Sequence, residues 1–218
     1  MKGKVIFDVC RMYVGKFLDK LEGAFRLDAK DLINVYYKRA AVCIDQGRYE
    51  EAVAVCRKAL ALDPDHLEAH FQLGIAHMGM QADEEAMRSF QRVLKHDPNR
   101  AAAHFRLGLL HDRTGALDGA VTAFGRAIDL DGGQAEYHYA LGVVHDKNGH
   151  PPKAVGSLKR AVELAPGVDK YHYRLGLVYD GQGKHEKAVE AFKRAVEAEE
   201  AAQGPSSSKY TKTGATCS

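Results

Sequence analysis

The sequence predicts an all-α fold, a right-handed α-solenoid of five helical hairpins with an extra helical segment at the N-terminus. Three observations carry this. Leucine-glycine pairs stand at Leu73-Gly74, Leu107-Gly108, Leu141-Gly142 and Leu175-Gly176, each 34 residues from the next, and a fixed period of roughly 20 to 50 residues marks stacked repeats. Twelve residues after each glycine comes an alanine (Ala86, Ala120, Ala154, Ala188), and four further on Phe90, Phe124, Leu158 and Phe192. Helix breakers fall at fixed places between these columns.

In chain order, residues 1–32 do not match the repeat. Ile6, Cys10, Tyr13, Phe17, Leu21 and Phe25 lie at helical spacing with Lys16, Lys20 and Arg26 elsewhere around the wheel, so an amphipathic helix or two is expected. The segment is read as a cap on the first hairpin or as a degenerate repeat that docks in a neighbouring copy's groove. A cationic helix on a membrane surface fits less well, since Gly15, Gly23 and several acids interrupt it. Five hairpins follow at 33–66, 67–100, 101–134, 135–168 and 169–200. The first carries Ala40, Ala52, Cys56 and Ala59 in the repeat columns, with Arg39-Ala40 in place of Leu-Gly.

Within each hairpin, small residues on both helices let the backbones approach. Gly47, Gly115, Gly149 and Gly183 fall between the two helices, where a helix C-terminus needs positive φ. Asp63-Pro64, Asp97-Pro98 and Ala165-Pro166 end the second helix, because the residue before proline is pushed out of the α region; Asp131-Gly132-Gly133 does so in the fourth place. A single hairpin cannot bury its apolar face, so the five must stack. The last helix is expected to reach about Gln203 and to leave its outer face partly open. Residues 201–218 form a polar tail, disordered from Gly204-Pro205-Ser206 on.

On these columns the chain resembles the tetratricopeptide repeat family over roughly residues 33 to 200. The resemblance implies an interaction scaffold rather than a catalyst, with an inner groove lined by the first helices. A stripe on those helices holds an aromatic in every copy: Tyr37, Phe71 with Ile75, Phe105 with Leu109, Tyr139, and Tyr173. Each ring either contacts an extended or helical peptide or packs on the next hairpin. Arg106, Lys170 and Arg174 lie beside them, with Arg113 and Lys147 near the helix ends, so the groove is expected to be apolar with a basic far end. The family's clamp for a peptide carboxylate is not reproduced, because of its positions only Arg106 carries a fitting residue.

Eleven histidines raise the question of metal. Seven are repeat columns: His70, His104, His138 and His172, then His77, His111 and His145. Residues seven apart rise about 10.5 Å along a helix, too far to share an ion held at about 2 Å. Packed rings with hydrogen-bonded nitrogens are expected instead, with no metal and no cofactor. His111-Asp112 and His145-Asp146 look like a phosphohydrolase dyad but recur at one helical phase, and His185-Glu186 lacks the second His of a zincin because Val189 stands there. No phosphate loop or nucleophile elbow is present, so no enzyme is expected. Cys43 and Cys56 occupy packing columns; Cys217 lies in the tail.

The net charge is +2, and in residues 33 to 200 acids slightly outnumber bases, which disfavours nucleic acid. No apolar run is long enough to span a membrane and no secretory signal is seen, so a cytoplasmic location is expected. A narrower resemblance, to the magnetosome-associated tetratricopeptide proteins, rests on Ala24-Phe25-Arg26, Val35-Tyr36-Tyr37 and Gly47-Arg48-Tyr49. It implies a homo-oligomeric scaffold, peripheral on the magnetosome membrane through partner proteins, with residues 1–32 as the self-association element. The other expectation is a monomeric adaptor in chaperone, secretion or pilus assembly work.

Overall fold

The computed structural model describes residues 28–203. The amphipathic segment Ile6 to Phe25 and the tail beyond Gln203 lie outside the described residues. Ten helices are described: α1 (Ala29–Asp45), α2 (Tyr49–Leu62), α3 (Leu67–Gly79), α4 (Asp83–His96), α5 (Ala101–Arg113), α6 (Leu117–Leu130), α7 (Ala135–Lys147), α8 (Pro151–Leu164), α9 (Asp169–Gly181) and α10 (His185–Gln203). Consecutive pairs make five hairpins. Residues to His96 form one compact unit holding two hairpins, and those from Asp97 a second unit holding three.

One boundary differs from the sequence expectation. Helix α1 starts at Ala29 rather than at 33, since the Leu32 amide donates to Asp28 O and Leu32 packs on the first core cluster. Helix α10 runs to Gln203, where the last helix was expected to end.

The hairpin turns repeat one device. In the first, the Gly47 amide donates to Ile44 O and the Arg48 amide to Cys43 O, with Gly47 at φ +70°; this pair of bonds closes the carbonyls that a helix end leaves open. Gly115, Gly149 and Gly183 do the same. The second hairpin has no glycine there, and Gln81 takes the left-handed place at φ +59°. Its hydrogen bonds to Met78 O and from Ala82 to His77 O are unchanged, so the motif tolerates a side chain at some conformational cost.

Packing within hairpins explains the Leu-Gly column. A Cβ added to Gly74 would stand 2.7 Å from the Phe90 ring, at Gly108 2.6 Å from Phe124, at Gly142 2.6 Å from Leu158, and at Gly176 2.5 Å from Phe192. The glycine therefore makes room for the large residue four places after the alanine, and at Gly142 the Ala154 backbone closes in as well, at 3.2 Å. Phe90, Phe124 and Leu158 are fully buried as a result, each a gain of about 1.5–3 kcal/mol. The first hairpin trades both partners at once. Ala40 replaces the glycine and Cys56 the ring, and both are wholly buried in one cluster. There burial pushes the Cys56 thiol up to about 12, with Cys43 adding to the shift, so neither buried thiol is a reactive one.

Gly142→Ala drives a methyl into Leu158 and is expected to destabilise by about 1–3 kcal/mol. Gly156→Ala, on α8 where an added Cβ meets nothing within 4 Å, is expected to stabilise by about 0.5–1 kcal/mol. Urea denaturation of the two variants checks both signs.

Candidate interaction site

The stripe on the first helices divides into buried and open rings. In the first unit Tyr37, on α1, is half-buried and its ring lies 5.5 Å from that of His66. Phe71, on α3, is 8% exposed and meets Phe90 edge-on at 5.6 Å, while Ile75 is half-buried. In the second unit Phe105, on α5, is 4% exposed. It stacks on Tyr137 at 4.6 Å and tilts against Phe124 at 5.5 Å. Leu109 is half-buried beside it. Phe71 and Phe105 are thus structural, and little of either ring is left for a ligand. Each covers the ring that fills the glycine's space, and the next hairpin's Tyr137 covers Phe105 in turn.

Tyr139, on α7, is half-buried and faces Tyr171 of α9 at 5.0 Å. Lys170 Nζ sits 5.4 Å over the Tyr139 ring and 5.3 Å over that of Tyr171, a cation held on two aromatic faces. Tyr173, on α9, packs one face on Phe192 at 5.5 Å yet remains 54% exposed, and Leu177 one turn on is exposed too. The last hairpin therefore carries the most accessible part of the stripe.

The expected basic far end is largely neutralised. Lys147 Nζ donates to Asp112 Oδ1 at 2.7 Å, joining α7 to α5, and Arg174 Nη2 donates to Asp146 Oδ2 at 2.8 Å, joining α9 to α7. Arg106 is half-buried near Tyr137, whose hydroxyl is raised first by burial and then by Asp131, with Arg106 opposing. Tyr137, Tyr171, Asp112 and Asp146 were not among the residues singled out for the groove. Their signal was present, since Tyr137 and Tyr171 stand 34 residues apart and Asp112, Asp146 and Asp180 form one column. The His-Asp pairs thus acquire a role: their aspartates bind the next hairpin's cation.

The histidines split into two structural classes. His70 Nε2 lies 2.8 Å from Pro64 O, His104 2.9 Å from Pro98 O, His138 3.1 Å from Gly132 O and His172 2.8 Å from Pro166 O. Only an N–H can meet a carbonyl, so each ring carries its proton on Nε2 and closes the turn leading into its own helix. The second column departs from expectation. His77 Nδ1 and His145 Nδ1 are buried with no hydrogen-bond partner, and the His145 ring meets that of His150 edge-on at 6.3 Å. Burial lowers the His77 pKa first, with Arg57 and Arg88 acting the same way against Glu85; burial, Lys153 and His150 lower that of His145. Among the described residues no three His, Cys, Asp or Glu side chains come together as metal ligands, and no helix is long and apolar enough to cross a membrane.

A groove of about 470 Å³ on the other side of the last hairpin is lined by His172, Leu175 and Tyr179 with Lys187, Glu190 and Arg194 around it. Arg194 Nε donates there to Glu190 Oε1 at 2.9 Å, and Lys187 Nζ lies over the Tyr179 ring. Nothing there converges on a reacting atom.

Repeated hairpins with a stripe of rings on their first helices are the architecture of an interaction scaffold. Comparison with known families gives the class its name: tetratricopeptide repeat models match residues 44–104 and 84–144 and residues 139–206, and the chain belongs to the tetratricopeptide repeat family. It is a non-enzymatic protein-interaction scaffold. Among solved structures, a crystal structure of MamA is 29% identical, with a TM-score of 0.70 over 75% of this chain and 96% of that one. MamA residues 41 to the end from Desulfovibrio magneticus RS-1 give 26%, 0.71, 78% and 96%. YrrB, described as a TPR protein with an unusual peptide-binding site, shares the fold at 23% identity and a TM-score of 0.63, over 75% of this chain and 84% of its own.

The two lowered histidines fix a pH dependence. Their folded pKa lies below the unfolded value of 6.5, so between the two the unfolded chain binds more protons and stability rises with pH. The contribution is whole above about pH 6.5 and is lost as pH drops through the folded values. A lower melting temperature at pH 5.5 than at 7.5 is expected, and His77→Phe with His145→Phe should shrink the difference; equal melting temperatures at the two pH values would refute it.

Proposed function

We infer that this protein is a self-associating scaffold that binds partner peptides along its first-helix stripe and coats the magnetosome membrane, recruiting other magnetosome proteins. The observation that carries the peptide reading is the open end of the stripe. Tyr173 and Leu177 stand exposed three and seven residues along α9 from Lys170, a spacing that puts all three on one side of the helix and offers an aromatic and an apolar anchor with a cation that an acidic or C-terminal group can meet. The likeness to MamA structures along most of the chain supports the magnetosome role, and the peptide-binding site in YrrB's description is in keeping with a peptide ligand. Residues 1–32, with their apolar column Ile6 to Phe25, are the self-association ligand, docking on the stripe of a neighbouring copy. Attachment to the membrane is peripheral and goes through partner proteins, on the cytoplasmic side.

Light scattering after gel filtration, on the full chain and on a form beginning at Asp28, tests self-association while leaving α1 whole. A large assembly for the first and a folded monomer for the second is expected. Two monomers would favour a single-copy adaptor of the kind that serves chaperone, secretion or pilus assembly. Membrane attachment through partners predicts that the protein pellets with isolated magnetosomes but not with magnetosomes shaved by protease; equal binding to both would mean direct lipid contact.

A further inference from the structure

Within each unit, the face one hairpin turns to the next uses the same repeat positions. Tyr139, Val155 and Val162 of the fourth hairpin pack with Val178 of the fifth. Phe105, Leu109 and Val121 of the third pack with Val144 of the fourth, and Val53 and Leu60 of the first pack with Ala76 of the second. One period further on, the giving positions are Tyr173, Leu177, Val189 and Val196. All four are exposed, Val189 to 66% and Val196 to 53%. The receiving position, fully buried or nearly so as Ala76, Val144 and Val178, falls in the first hairpin at Val42, which is 50% exposed. The first and last hairpins thus display the two halves of one interface.

Charge follows the same register. The Arg174–Asp146 pair joins the fifth hairpin to the fourth. One period after Asp146 is Asp180, exposed and contacted by the exposed His185 ring at 2.8 Å. Four periods before Arg174 is Lys38, also exposed. Ring stacking continues as well: Tyr139 meets Tyr171 and Phe105 meets Tyr137, and the same columns bring Tyr173 to Val35. One contact does not carry over, since Asp45 stands in the column of Lys147.

We propose that the fifth hairpin docks on the first hairpin of a second copy, carrying the 34-residue register from chain to chain. Val189 and Val196 close over Val42, Tyr173 covers Val35, and Asp180 pairs with Lys38. The proposal rests on the self-association reading above but names a contact distinct from the one made by residues 1–32. It joins unlike faces, so each copy keeps one face of each kind free and assembly is open-ended unless the rotation closes a ring. The occupant is a second copy because the first hairpin supplies the matching apolar position and the matching cation.

Sedimentation velocity of the full chain across a concentration series tests it, with circular dichroism confirming the helix content of each variant. Val189→Lys with Val196→Glu, at exposed sites that leave the fold intact, is expected to raise the dissociation constant at least about a hundredfold. Asp180→Lys and Lys38→Asp should each raise it about fivefold, and the two together should restore it to within about twofold of the natural chain. Unchanged assembly in the double valine variant overturns the proposal. So does a charge-swapped chain as weak as its single variants, which would put another ligand, such as residues 1–27, on this face. If the form beginning at Asp28 is monomeric while the valine variant assembles normally, self-association through the N-terminal segment stands and this contact falls. A full chain that is monomeric at every concentration overturns both.

Discussion

In four of the five hairpins, one large side chain of the second helix fills the space that a missing Cβ leaves on the first. Gly74, Gly108, Gly142 and Gly176 are the openings, and Phe90, Phe124, Leu158 and Phe192 the fillers. The contact is too close for any side chain at the glycine, so it fixes the crossing of the two helices and with it the direction in which the stripe residues point. Ala40 with Cys56 shows that the constraint is on the sum of two volumes rather than on either residue. Everything further out, from the turn geometry to the stripe, follows from that crossing.

The stripe inherits its character from the same contact. Phe71 and Phe105 cover the filling rings and are used up in doing so, which turns what would have been a ladder of five open aromatics into a graded surface. Tyr173 is the exception, with no later hairpin among the described residues lying over it. Ion pairs follow a similar rule. Asp112 and Asp146 each take a cation from the hairpin after, so positive charge that sequence position assigns to the groove is spent between repeats, and Lys170 on its two tyrosines is the cation left beside the open ring.

Much of this was legible in the sequence because the period is exact in several columns. Helix order, the left-handed turn glycines and the burial of Cys43 and Cys56 can all be read from spacing. What spacing does not reveal is the partner of each column. The space at Gly142 is bounded by the Leu158 side chain as well as by the Ala154 backbone, and the partner of His70 Nε2 is a backbone carbonyl, Pro64 O. The left-handed Gln81 has no turn glycine to announce it. For the candidate site, residue type located the stripe, while burial, which depends on neighbours far along the chain, decided which of its rings are open.

The central claim is that a repeat interface is left unfinished on the last hairpin and completed by self-association. Hydrogen exchange of the full chain at a low and a high concentration tests it most directly, since amides of packed helices open less often. The account predicts slower exchange at high concentration in α10 and in the second half of α1, around Val42, with α6 and α7 unchanged. Exchange that is independent of concentration along the whole chain would contradict it.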